Sequence, residues 1–278
     1  MKSVLVINDH SSASSYAAKL ALAIAQKVKA NLILLNVDIP VRILPVIEYE
    51  PAPESVYEDC RDSTEAPLIE QLRSQNQSRQ SFFPDITVID IPQFSDGEIT
   101  QLLSKQEVWL VLKGIPGEDD FPSQSADTIQ AILRKARCPL MMVPESSDIK
   151  GFEQIAYTAD LRYCKLHVIR FLKELAATYE ANLLIAHIPM SGLPDMKHNE
   201  TLSIFNDTIS THIRYEKLFF DHITERNLDK VFDVLTCGMN TDLLAVVNHP
   251  FHFEEIVNQY KKYKLPSHIT IPLIVFPV

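Results

Sequence analysis

Membrane-length apolar runs, closely paired cysteines and a basic surplus are all missing from this 278-residue chain. No apolar run approaches the roughly 18 residues of a membrane-spanning helix, so no span is expected. The four cysteines, Cys60, Cys138, Cys164 and Cys237, have no CxxC spacing. They read as reduced core thiols of a cytoplasmic protein, with Cys164, near a turn, the one expected to be exposed. A formal net charge of −10 and a pI near 5.4 deny the chain the basic face that nucleic-acid backbones require, and weigh against anionic membranes. The chain opens as a strand (Ser3–Asn8) rather than as a basic segment followed by an apolar one, so no secretory signal is expected. Catalytic signatures are missing too: there is no G-x-S-x-G elbow, Walker A loop or H-E-x-x-H pair. Ser11, Ser12, Ser14 and Ser15 lack a placed base and read as helix caps, and Trp109 reads as strand core.

What is present is said twice. Residues 4–37 and 155–188 align without a gap at a constant offset of 151, bringing Asp9 onto Asp160 and Ala30-Asn31-Leu32 onto Ala181-Asn182-Leu183. The halves end alike, with Cys138-Pro139-Leu140-Met141-Met142-Val143-Pro144 against Ile271-Pro272-Leu273-Ile274-Val275-Phe276-Pro277. A period near half the chain length means two copies of one domain, here 1–145 and 152–278 joined by 146–151.

Each copy alternates strand and helix. Apolar runs at 3–8 and 31–37 flank a segment of helical period, with Ala17, Leu20, Ala21, Ile24 and Val28 on one stripe, which makes a βαβ unit with parallel strands. An insertion at 38–66, rich in acids and prolines, reads as irregular, and as a lid over the first cleft, a partner surface or plain solvated loop. Helices are expected at 66–80, 96–105 and 126–136, with strands at 85–91, 108–113 and 139–143. The second copy predicts strands at 155–158, 183–188, 219–224, 243–247 and 271–276, and helices near 165–180, 199–213, 227–237 and 252–263. Its third strand, Phe219–Thr224, matches Phe82–Thr87 by motif (FFDHIT against FFPDIT). The pattern is an α/β sheet covered on both faces.

A strand ending in Asp, a serine-containing turn, a long Ala-rich helix, the strand 30–37 (ANLILLNV) and the closing 138–143 (CPLMMV) together resemble the universal stress protein family. The match runs through nearly the whole chain, twice. The resemblance implies two doubly wound, five-stranded parallel sheets of the adenine-nucleotide alpha-hydrolase-like type. It also implies that the last strands pair edge to edge, so that 139–143 and 271–276 would make an internal pseudo-dimer with Pro139 and Pro272 opening the paired edges.

The ATP-binding branch of that family carries G-x-x-G, nine residues, then G-[S/T] after strand four, whose amides hold phosphates, together with the Asp ending strand one. Gly114 and Gly117 match the opening pair, and Asp9 and Val37 fall at the corresponding strand ends. The remainder departs: Ala126-Asp127 stands for Gly-Ser, Pro116 removes an amide, and Glu118, Asp119 and Asp120 would oppose a triphosphate. In the second half Asn248-His249-Pro250-Phe251 stands where the glycines belong. Asp9 and Asp160 read either as a leftover ligand contact at the carboxyl edge of the sheet or as turn caps.

Eight of nine histidines lie in the second half. His187, His249 and His252, with Asp160, project toward one edge and would suit Zn²⁺. Three functions follow as expectations. The leading one is a non-catalytic, cytoplasmic, stress-associated protein with degenerate ATP motifs, binding a small molecule or a protein partner and leaving homo-oligomerisation open. The others are an ATP-binding switch using Asp9, Val37, Gly114 and Gly117, and a metal-binding sensor in the second half. No cofactor is expected; ATP and Zn²⁺ are the two the residues would admit. No nucleic-acid or membrane partner is expected.

Overall fold

The computed structural model describes residues 1–37, 65–78, 82–91, 101–103, 107–115, 132–133, 138–145, 151–190, 192–248 and 270–277. Nearly all of the 38–66 insertion, most of the 146–151 joint, Gly117, Ala126-Asp127, His249, His252 and the helix expected at 252–263 lie outside them. Of the helices expected at 96–105 and 126–136, the described parts, 101–103 and 132–133, are helical.

Among the described residues ten strands form one sheet in the order β3-β2-β1-β4-β5-β10-β9-β6-β7-β8. They are β1 (Ser3–Asn8), β2 (Asn31–Val37), β3 (Ile86–Ile91), β4 (Val108–Ile115), β5 (Leu140–Pro144), β6 (Gln154–Ala159), β7 (Asn182–His187), β8 (Leu218–His222), β9 (Leu243–Val247) and β10 (Leu273–Phe276). Every pairing is parallel except β5 with β10. The helices described over their length include α1 (Ser12–Val28), α2 (Glu65–Ser78), α3 (Leu166–Tyr179), α4 (His198–Ile204) and α5 (Leu228–Asp233). α4 runs on through a wide turn at Phe205–Ser210 into Thr211–Ile213. Among the described residues no helix is long and apolar enough to cross a membrane.

Strand β1 is buried throughout because a central parallel strand is covered on both faces. Val4 and Val6 enter the core beneath α1 and α3, while Leu5 and Ile7 enter the opposite one. The predicted stripe on α1 supplies buried Ala17, Leu20, Ala21 and Ile24. Ser11 caps the helix, its Oγ accepting the Ser14 N–H at 3.1 Å.

The two halves meet where β5 and β10 pair antiparallel, Met141 opposite Ile274. Pro139 and Pro272 sit just before these strands and each gives its carbonyl to the neighbouring strand, to Val111 and Leu244. Trp109 is not plain strand core: half-buried, it stacks across the seam on Phe171 of α3, with ring centroids 4.3 Å apart, and Phe171 meets Phe276 of β10 edge-on at 5.3 Å. Lys2 lies 5.2 Å over the Trp109 ring and pairs with Glu174.

Two expectations are corrected here. Leu32 and Leu183 are equivalent in the repeat, and they pair with Ile86 and Leu218. Phe219 therefore occupies the place of Thr87, not of Phe82, and the FFDHIT/FFPDIT match is five residues out of register. Burial explains the slip: Leu218 and Phe220 pack inward, which leaves Phe219 48% exposed, while Phe83 precedes its strand and is 57% exposed. Second, Cys164 is half-buried, and among the described residues Cys237 is the exposed thiol. Burial pushes the Cys164 thiol up to about 12 and Cys138 to about 11. Since the thiolate is the nucleophile, alkylation of native protein at pH 8 should modify Cys237 well before Cys138 or Cys164. Peptide mass mapping checks the order, and earlier labelling of Cys164 would contradict it.

Candidate functional site at the two carboxyl edges

In a doubly wound sheet the ligand crevice opens where the strand order reverses, here between β1 and β4 and again between β6 and β9. Asp9 and Asp160 stand at these two points, and neither carboxylate is left open.

Asp9 is held from β4. Lys113 Nζ lies 2.8 Å from Asp9 Oδ2, with the two side chains only 2% and 7% exposed. Asp9 Oδ1 accepts from the Ser11 hydroxyl at 2.5 Å and the Ser11 N–H at 3.3 Å. Burial alone would raise this carboxyl, but the charge and hydrogen bond of Lys113, with those of Ser11, hold it below its ordinary value. Beside it a polar chain crosses three strand ends. Ser14 Oγ donates to Asn8 Oδ1 at 2.7 Å, Asn8 Nδ2 to Asn36 Oδ1 at 2.9 Å, and Asn36 Nδ2 to Asp90 at 2.8 Å.

Asp160 is held from its own turn. Arg162 lays its guanidinium on both carboxylate oxygens, and the N–H groups of Arg162 and Met190 donate to them at 3.1 and 3.0 Å. Burial is again outweighed, chiefly by the Arg162 side chain, and the carboxyl stays below its ordinary value. Arg162 also donates to the Pro194 carbonyl at 3.0 Å, so one cation ties the turn after β6 to the loop after β7. Both aspartates accept the N–H two residues on, which is the turn-cap reading of these positions.

The remaining expected ligands sort themselves by packing. Val37 is buried in the core opposite α1. At Gly114 a Cβ would lie 2.2 Å from the carbonyl carbon and oxygen of Ala13 and 2.5 Å from Ser14 N. This glycine therefore admits the first turn of α1 against β4. Register makes Val247 the repeat equivalent of Gly114 and Val246 that of Lys113, since Leu5 pairs with Val111 and its equivalent Ala156 with Leu244. The segment standing for the glycines is thus one residue earlier than the sequence match suggests, and it still contains no glycine. Val247 is tolerated because α3 starts at Leu166, three residues later than α1 in the repeat.

His187 is fully buried, and its Nδ1 accepts the Leu161 N–H at 3.2 Å. A backbone N–H can only donate, so that lone pair is spent and the ring proton sits on Nε2. With Asp160 saturated and His187 so engaged, neither offers an electron pair to a cation, and no cluster of three or more metal-binding side chains occurs among the described residues. The neighbours of His187 are instead His222, at 5.0 Å between ring centroids, and then His198, 5.4 Å from His222. Sequence reasoning missed Lys113, Arg162, Asn8, Asn36, Asp90, His198 and His222. The available signals were a lone charge in the apolar run 108–115 and the alignment of Asn36 with His187.

A model of the universal stress protein family matches residues 1–144, and the chain belongs to that family. Among solved structures, a universal stress protein from Archaeoglobus fulgidus DSM 4304 superposes with a TM-score of 0.62 over 99% of this chain and 98% of that one, at 14% identity. A functionally unknown protein from Pseudomonas aeruginosa PAO1 gives 0.55 over 99% and 92%, also at 14% identity. At such identities the likeness establishes the fold. No curated protein matches the chain. Family membership associates the chain with the stress response.

Proposed function

We propose that this chain is a non-catalytic, cytoplasmic stress-response scaffold. It would be built as an internal pseudo-dimer of two universal-stress-type domains, 1–145 and 152–278, and would act through a protein or small-molecule partner rather than by holding ATP. The observation that carries this reading is that each strand-end aspartate is neutralised from within the chain, Asp9 by Lys113 and Asp160 by Arg162. Two unrelated residues, one on a strand and one in a turn, do the same thing at equivalent places. A ligand group seeking either carboxylate would have to displace a charge-assisted contact, buried at Lys113–Asp9 and half-buried at Arg162–Asp160. Gly114 supports the same reading, because its missing side chain is already explained by the approach of α1.

Thermal unfolding of the full chain with and without ATP and Mg²⁺ tests it. The expected result is no saturable shift at millimolar nucleotide. A ligand at 100 times its Kd would add about 2.7 kcal/mol, which such a scan resolves easily. A saturable shift lost on replacing Asp9 by Asn would establish the first cleft as a nucleotide switch and overturn the proposal.

A further inference from the structure

The scaffold reading makes no use of the histidine row of the second half. His187 ends β7, His222 ends β8 and His198 opens α4, so three separate elements bring three imidazoles into successive ring contact, with His222 between the other two. In the first half the places of His187 and His222 belong to Asn36 and Asp90, by the repeat offset and the strand register. Asn36 and Asp90 share a hydrogen bond, whereas His187 and His222 meet only as rings, 5.0 Å between centroids.

The contact made by His187 is one that protonation would break. Its Nδ1 accepts from Leu161, the first residue of the short turn Leu161–Tyr163 that sets Arg162 on Asp160. Its Nε2–H finds no acceptor among the described residues. A proton taken from solvent must therefore land on Nδ1. There it turns the acceptor into a second donor facing the Leu161 N–H.

We propose that His187 and His222 form an acid-sensitive latch: protonation of His187 frees the 160–163 turn, releases Arg162 from Asp160 and Pro194, and opens the second cleft. Among the described residues, the ionisable groups acting on His187 are Asp160, His222 and Arg162. His198 lies one ring further on, and Asp221 accepts the His222 N–H at 2.8 Å. Burial first, with His222 and Arg162, outweighs Asp160 and the backbone of Ala159, and holds His187 below its ordinary value. The sign follows. Above the ordinary histidine value of about 6.5 the ring is neutral in both folded and unfolded chains. As pH falls below it, the unfolded chain binds the proton first, and the latched state loses stability until the lower folded value is passed.

Hydrogen exchange of the full chain at pH 7.5 and 5.5, corrected for intrinsic rates, tests the latch. Peptides spanning 158–165 and 188–196 are expected to lose about tenfold protection at pH 5.5, with those of β1 and α1 unchanged. The double substitution His187→Asn with His222→Asp installs the first-half pair and is expected to abolish this pH dependence. Equal protection at both pH values, or the same loss in the double variant, would overturn the proposal. Should that variant fail to fold, ring NMR titration of wild type decides. A His187 that takes up no proton before the whole chain unfolds sinks the latch; uptake coincident with broadening of the Leu161 and Met190 amides sustains it.

Discussion

Lys113→Met is expected to lower the melting temperature by roughly 6–12 °C at pH 7, because removing one partner of a buried ion pair costs about 3 kcal/mol or more. The methionine fills nearly the same volume, so the cost is electrical rather than steric. Asp9 would be left buried with only Ser11 as donor. The pH dependence separates this cause from loose packing. In the native chain Asp9 sits below its ordinary value, so the pair stabilises above about pH 4 and loses its effect as pH falls through the folded value. In the variant, burial acts without Lys113 and raises the carboxyl, so the variant gains as Asp9 protonates. The two melting curves should therefore converge toward acid. Adding Asp9→Asn should recover much of the loss at pH 7, since it removes the uncompensated charge. A Lys113→Met protein that melts with wild type at pH 7 would mean that the pair contributes nothing and that Asp9 is open to ligands.

Much of the sheet was legible because its strands are short apolar runs separated by a helical period, and because the repeat let each half check the other. The offset of 151 placed Asp9 and Asp160 at equivalent strand ends, where both in fact lie. The slip in the third strand came from trusting a motif over burial: two adjacent phenylalanines recur in both halves, but which one faces the core is set by pairing with β2 and β7. That error also hid His222, since only the observed register sets it beside His187. The histidines were grouped by nearness in sequence to strand ends, whereas the ring contacts that form involve β7, β8 and α4. Lys113 was passed over because a lone lysine in a strand ordinarily reaches solvent. Its burial depends on an aspartate 104 residues away, and no local pattern encodes such a pair.

Gly114→Ala is expected to destabilise by about 3 kcal/mol, at the upper end of over-packing costs, although it adds one methyl group. The atoms in its way are backbone: the carbonyl of Ala13 and the amide of Ser14, both nearer than 3 Å to the added carbon. No rotamer change relieves such a contact, so the first turn of α1 must retreat from β4. That turn carries Ser11 and Ser14, which bind Asp9 and Asn8, so retreat also loosens the Lys113–Asp9 pair and the chain running to Asp90. The effects of Gly114→Ala and Lys113→Met should accordingly fall short of additive, because each disturbs what the other needs. Urea unfolding of the two single variants and the double reads both the loss and the coupling. A Gly114→Ala protein with the wild-type midpoint would mean that α1 can back away freely, and the glycine would then need another reason. The second half supplies the control: Val247 occupies the same place beneath a helix that begins later, so Val247→Gly should bring no gain there, only the modest loss of a half-buried side chain.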